Sequence, residues 1–561
     1  LKIMIRKLYL PLVALLVLAF SSCKKMGELS ADYFTTNPEV LEAVGGKVPV
    51  TITGKFPEKY FKKNATVEVT PVLRWDGGEA KGQPATFQGE KVQGNDQTIS
   101  YKAGGTYTMK ASFDYVPEMA KSELHLDFKI TIGKKSHTIP SVKIADGVIA
   151  TSELPTVNSA NAALAPDAFQ RIIKQAKEAQ IMFLIQQANL RASELKSEGL
   201  KEFHKQVVTV AGDTKNYKLN NIEISAYASP DGGVKLNTTL AENRQNNTEK
   251  YMNQQLKKGK IETEVDTKYT AQDWDGFQEL VSKSNIQDKD LILRVLSMYS
   301  DPEQREAEIK NISSVYKTLA DEILPQLRRA RLTANYDVIG RSDEEINEAF
   351  DTDAKVLSVD ELLYAATLTN DEARQEAIYK KAIELYPSDF RAYNNLGLMA
   401  YAKGDQATAE NYFKQAASKN ANAPEVNTNL GLIELAKGNV ANAETYLSKS
   451  TGANTANEIL GNLYIKQGQY DRAVQAFGDT KTNSAALAQI LAKDYNKAKN
   501  TLAAVKNPDA YTDYLMAIVG ARTNNADLVK SSMAKVAQKD AALAAKAQTD
   551  REFAKYANEI K

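Results

Sequence analysis

In a chain of 561 residues, the thiol of Cys23 is the only one. It follows a basic start (Lys2, Arg6, Lys7), an apolar run from Leu8 to Phe20 broken by Pro11, and the small pair Ser21-Ser22, and it precedes Lys24-Lys25. Such a run is marginal for spanning a bilayer but suits the core of an export signal. A cleaved signal with an incidental cysteine and a short membrane anchor fit the same residues. Other reactive constellations are sparse. The three histidines, His125, His137 and His204, are scattered without metal-ligand spacing. One cysteine excludes an intrachain disulfide framework, a zinc ribbon and a CxxC redox pair. No Ser-His-Asp set, H-E-x-x-H, phosphate loop or paired catalytic carboxylates stand out, so a non-enzyme needing no cofactor and no metal is expected. With 71 Lys+Arg against 70 Asp+Glu there is no bulk field to attract nucleic acid.

The stretch Phe20-Ser21-Ser22-Cys23 resembles the cleavage site of bacterial lipoprotein signals, and the Ser-Ser-Cys-Lys-Lys style resembles lipoproteins of Bacteroidota. That resemblance implies a signal over 1–22, acylation (palmitate included) of Cys23 as the first mature residue, and a tether over 23–46. Several acyl chains anchor stably where one does not. It implies an outer-membrane location. Acidic residues after the lipid cysteine send such proteins outward, and Lys24-Lys25-Met26-Gly27 has none, which favours the periplasmic face. Leu1 in place of Met points to an alternative start codon, with Met4 as the other candidate start.

Three bodies are expected behind the anchor, making a multidomain α+β chain. Over 47–151, period-two alternation in Val48-Val50-Ile52, Tyr107-Met109-Ala111-Phe113 and Leu124-Leu126-Phe128-Ile130 predicts a β-sandwich, punctuated by Asp76-Gly77-Gly78 and Gly104-Gly105. His125 and His137 read as strand or surface residues and Trp75 as a core or face anchor. Thr151 to Pro166 reads as a linker.

Over 166–342, an amphipathic stretch (Phe169, Ile172, Ile173, Ala176), a strand at 222–228, a turn at 229–233, a helix from about Leu240 to Lys258, a strand at 261–269, a helical insertion and a last strand at 331–339 predict an α/β sandwich. Here Ala226-Tyr-Ala-Ser-Pro-Asp-Gly232 with Asn237, Leu240 and Arg244 resembles the OmpA-like C-terminal domain. In that family an Asp in the turn grips the ammonium of diaminopimelate in peptidoglycan and the helix Arg grips its carboxylate, a pairing that uses acceptors on one side and a guanidinium fork on the other. The resemblance implies Ser229, Asp231, Asn237 and Arg244 as peptidoglycan-binding positions. Ser229 stands where the Asp belongs, so Asp231 would have to reach across the turn. The other reading of Arg244 is a helix-surface residue near a turn.

Over 355–561 the chain repeats. Asn395-Leu396-Gly397 recurs as Asn429-Leu430-Gly431, Gly404-Asp405 as Gly438-Asn439 and Ala409 as Ala443, each 34 residues on. A third copy, Leu460-Gly461 to Phe477, follows after 30, and 494–498 looks like a degraded second helix. Small residues let paired helices cross closely while Tyr and Phe fill the space beside them. The period resembles the tetratricopeptide (TPR) repeat, which implies an all-α solenoid with a concave groove for peptides or proteins. Asn395 and Asn429 have the chemistry of ligand-clamping amides, but packing beside Leu-Gly is the preferred reading. Taken together, the sequence predicts an envelope scaffold holding partner proteins through its repeats. Peptidoglycan tethering, and surface-exposed fimbria or adhesin assembly, are the alternatives.

Overall fold

The computed structural model describes residues 26–154, 160–311 and 313–560. Cys23 and the expected export signal lie outside them. The chain forms two compact units, Leu1–Pro166 with Tyr379–Lys561, and Asp167–Ile378.

In the first unit the N-terminal strands are β1 (Phe34–Asn37), β2 (Leu41–Glu42), β3 (Lys47–Phe56), β4 (Ala65–Trp75), β5 (Gly78–Lys81), β6 (Ala85–Gly89), β7 (Gln97–Ile99), β8 (Gly105–Asp114), β9 (Glu123–Ile132), β10 (Lys135–Asp146) and β11 (Val148–Ile149). One sheet runs β1-β3-β8. The other runs β10-β9-β4-β6-β7, with β5 beside β4. The alternating residues named above all enter one core, as period-two burial requires. Trp75 packs against its edge. From Met26 on, the expected tether is folded. Met26, Leu29, Phe34, Leu41 and Ala43 are buried in this core, β1 pairs with β3, and β2 pairs in parallel with β11.

The same unit holds the helical stack. It contains the end of α9 (Glu372–Leu385; α1–α8 are given below), then α10 (Phe390–Ala402), α11 (Gln406–Lys419), α12 (Pro424–Ala436), α13 (Val440–Leu447), α14 (Ala456–Lys466), α15 (Tyr470–Phe477), α16 (Asn483–Leu491), α17 (Tyr495–Ala503), α18 (Ala510–Arg522), α19 (Ala526–Lys539) and α20 (Ala541–Ala547). Gly397, Gly431 and Gly461 each sit where a β-carbon would lie 2.5–2.6 Å from the side chain sixteen residues on: Phe413, Leu447 and Phe477. Each pair therefore crosses at glycine contact. Gly404, Gly438 and Gly468 turn the chain between paired helices at φ of 79°, 80° and 72°, and Lys493 and Asn524 hold the same left-handed turn in the last two pairs. The 30-residue spacing comes from α13, which is 8 residues long against 14 for α11.

The β body and the stack belong to one unit, and specific groups join them. Arg522 of α18 pairs with Glu42 of β2 at 2.6 Å and donates through Nε to Glu552 at 2.8 Å. Thr151 donates to Glu552 at 2.5 Å. Beside two carboxylates, and despite burial, the guanidinium is held more firmly charged than usual. Leu154 is buried among Ile465, Ala485 and other stack residues.

The second unit is built on a sheet ordered β12-β15-β13-β14, with β12 Ile172–Met182, β13 Tyr217–Tyr227, β14 Glu264–Thr270 and β15 Arg329–Ile339. β13 and β14 are parallel, joined by the crossover helix α2 (Val234–Gly259), while α1 is Glu198–Gly212. Leu200, Phe203 and Val207 of α1 and Met252 and Leu256 of α2 pack on Ile181, Ile222, Ile224, Ala330 and Leu332 of the sheet. The amphipathic stretch at 169–176 is not a separate layer. β12 pairs with β15 along its whole length, as the sheet's edge, and leaves Ile172 and Ile173 exposed. The insertion, α3 (Trp274–Lys283), α4 (Lys289–Met298), α5 (Pro302–Asn311) and α6 (Ser313–Thr318), has its own core of Trp274, Phe277, Val281, Ile292, Leu296 and Leu327. Helices α7 (Asp343–Asp353) and α8 (Val359–Ala365) also belong to this unit. The boundary expected near 342–355 thus falls at 378, within α9.

Gly431→Val should destabilise the first unit by about 1–3 kcal/mol, because it forces a branched side chain into Leu447. Denaturant unfolding monitored by helical ellipticity reads this directly.

Candidate functional site

The turn after β13 brings the four expected positions together, but as a closed cluster. Asn237 on the first turns of α2 donates from Nδ2 to the Ser229 and Gly232 carbonyls, both at 2.9 Å. It thereby fixes the turn. The Ser229 hydroxyl donates to Asp231, so the two residues do join. Their partner comes from the chain itself. Arg328, where the insertion returns to β15, donates from Nη2 to Asp231 at 3.2 Å and from Nε to Ser229 Oγ at 3.3 Å.

Arg244 is not a helix-surface residue. It is 0% exposed, because α2 buries a stripe of Asn237, Ala241, Arg244, Thr248, Met252 and Leu256 against the sheet. Its fork donates to three carbonyls: Tyr227 at 2.7 Å, Gln187 at 3.0 Å and Leu184 at 3.2 Å. The guanidinium also lies 5.0 Å from the Phe183 ring centre. Burial, with Arg328 nearby, pushes its pKa down to about 10, so it stays charged at neutral pH. A buried cation needs such partners, and here they are backbone groups.

The insertion covers the turn. Pro230 and Asp231 face Trp274, Phe277, Ile309 and Leu324 across a cavity of about 20 Å³, room for roughly one water. Arg329 and Asp273, paired at 2.9 Å and nearly buried, staple the insertion to β15. Burial raises the Asp273 carboxyl, and Arg329 opposes that shift.

A second constellation lies in the first unit, on the first helices of successive repeats. Asn395 of α10 accepts from the Ala165 N–H at 2.9 Å and donates to the Ala165 carbonyl at 3.0 Å. One repeat on, Asn429 of α12 accepts from the Ala163 N–H at 2.6 Å and donates to its carbonyl at 2.9 Å. Asn394 adds a bond to the Ala163 carbonyl at 2.9 Å and accepts from Asn429 at 2.9 Å. All three amides are 0–2% exposed. The preferred packing reading of Asn395 and Asn429 is thereby corrected. They clamp peptide groups, and the peptide is the chain's own linker. The third repeat has Ile459 at this register, so the ladder has two rungs.

Sequence reasoning missed Asn394, the linker alanines and Arg328. The doubled Asn394-Asn395, and a linker rich in Ala with no Gly, were the signals available. The histidines stay apart on β9, β10 and α1, with His204 bonded to Tyr251 at 2.9 Å. Among the described residues no group of His, Cys, Asp and Glu could hold a metal ion, and no helix is long and apolar enough to cross a membrane.

Arg244→Ala should destabilise the second unit by about 3 kcal/mol or more, because it strands three carbonyls and leaves a void. A chemical-unfolding midpoint for that unit measures the loss.

Models of the tetratricopeptide repeat match residues 378–411, 405–458 and 455–478. No curated protein matches the chain. Among solved structures it is similar to a tetratricopeptide repeat protein from Parabacteroides merdae, at 14% identity over 35% of this chain and 85% of that one, with TM-score 0.27. It is similar to pilF of Pseudomonas aeruginosa at 15% identity, 34% and 92% coverage, and TM-score 0.27. It is also similar to YrrB, a TPR protein with an unusual peptide-binding site, at 19% identity, 30% and 97% coverage, and TM-score 0.23. Residues 378–478 are a run of tetratricopeptide repeats, a repeat that serves protein–protein interaction.

Proposed function

We propose that this protein is a non-catalytic scaffold of the bacterial cell envelope, anchored to the outer membrane by acyl chains on Cys23, facing the periplasm and holding partner proteins through its repeats. The observation that carries the scaffold reading is the pair Asn395 and Asn429, one repeat apart, each bonding both the N–H and the carbonyl of one residue of a peptide segment. The anchor rests on the sequence around Cys23. For the central unit we propose an OmpA-like domain whose ligand turn has been turned to structural use. Its support is the crossover between β13 and β14 and the placement of Asn237 at the turn, while Arg244 and Asp231 are already engaged within the chain. Peptidoglycan is then not expected to be retained.

Two measurements test this. Cells fed labelled palmitate should label the wild-type protein in the outer-membrane fraction, and Cys23→Ala should lose the label and leave that fraction; an unlabelled wild type would refute the anchor. Crosslinking in cells followed by mass spectrometry should capture an envelope protein reproducibly through residues 358–477, and capture through other segments alone would refute the repeats as the partner surface.

A further inference from the structure

The two-rung clamp reads a backbone rather than side chains. Each rung matches one carboxamide to both hydrogen-bonding groups of one residue, and the rungs take residues two apart. Two residues of extended chain advance about 7 Å, within reach of amide side chains on adjacent repeats. Between the rungs, side-chain size is restricted. Ala160 and Ala162 are buried against Tyr393, Leu430 and their neighbours, Ala163 and Ala165 are buried at the rungs, and Asn161 and Leu164 are exposed. The ligand class is therefore an extended segment with small side chains at its inward positions, read through its peptide groups.

We propose that Ala160–Ala165 is an intramolecular strap that keeps this site closed, so that a peptide of the same kind binds the stack only when the strap is displaced. This rests on the reading of the repeats as a partner surface and adds its regulation. Three features favour a displaceable strap over a permanent core strand. No large side chain of 160–165 is buried in the stack; its one large residue, Leu164, is 41% exposed. Ala163 and Ala165 are held through their peptide groups by three amides of the stack, not by a neighbouring strand. To the core of Phe413, Val426, Leu432 and Leu447 beneath it the strap adds only the methyl groups of Ala160 and Ala162. What favours the strap over a separate peptide making the same bonds is proximity. Leu154, six positions before Ala160, is seated among Ile465 and Ala485, so the tether is short and the local concentration of strap is of order millimolar.

The test uses the full chain and a fluorescein-labelled peptide of residues 160–166, Ala-Asn-Ala-Ala-Leu-Ala-Pro. For a peptide with an intrinsic Kd of roughly 10 μM, a millimolar cis competitor weakens apparent binding about 100-fold. Ala163→Glu puts a charge at a fully buried position and expels the strap. It should bind the peptide about 100-fold more tightly than the wild type, and adding Asn395→Ala and Asn429→Ala should abolish that gain. Equal affinity in wild type and Ala163→Glu overturns the proposal, as does tight binding that survives loss of both asparagines. Circular dichroism confirms that each variant retains its helices. Hydrogen exchange on the wild type decides the matter even if a variant misfolds. The Ala163 and Ala165 amides should exchange about 100-fold more slowly than in the free peptide; free-peptide rates, or protection as great as that of the stack's core helices, overturn the strap. A stack without any partner in cells would still give this pattern, so the two readings fail separately.

Discussion

A peptide group removed from water must find a partner for its N–H and its carbonyl, and a chain laid on the side of helices cannot find them in the helices, whose backbone is already paired. In the first unit side-chain amides meet this requirement. Asn395 and Asn429 supply an acceptor and a donor at once, as a neighbouring strand would, and so allow a short stretch of chain to lie buried without a sheet. Glycine contacts at 397, 431 and 461 set how closely each pair of helices packs, and thus where the amides stand. The β body, the linker and the repeats belong to one unit, and the asparagine bonds and the Arg522 cluster are among the contacts between them.

The second unit applies the same physics to charge. Arg244 is an expensive residue to bury, and three carbonyls with a ring face make it tolerable. Asp231 is matched by Arg328 and Asp273 by Arg329. These charges at the turn are thus each opposed from within the chain, and the insertion supplies Trp274, Phe277 and Leu324 as its roof.

Much of this is legible in the sequence. The 34-residue period and its pairing of glycine with a large apolar residue are local, and the structure has the pairs in contact. The alternation of β3, β8 and β9 likewise declares an inner face. Other features are hidden for identifiable reasons. An Asn beside Leu-Gly looks the same whether it packs or clamps, and its partners, Ala163 and Ala165, are 266 and 230 residues away. A run of alanines has no hydrophobic period and reads as a linker. The position of Arg244 is legible from its pattern, but the direction of its fork depends on Leu184 and Gln187, about sixty residues upstream in a segment with no motif. Met26 to Ala43 reads as tether because its strands are only four and two residues long.

The bond between Thr151 and Glu552 spans 401 residues. The first unit is therefore discontinuous, with all of 167–378 intervening between its parts. During synthesis from the N-terminus, the β body emerges long before the helices that complete it. The alanine stretch then has only water to satisfy its peptide groups until the repeats arrive. Contacts so distant in sequence carry a large loop-closure entropy and form late. The chain sets the order of emergence: residues 167–378 are made before the repeats that close the first unit. Premature termination anywhere before residue 552 would leave Thr151 without its partner Glu552, and so leave the β body unfinished as well.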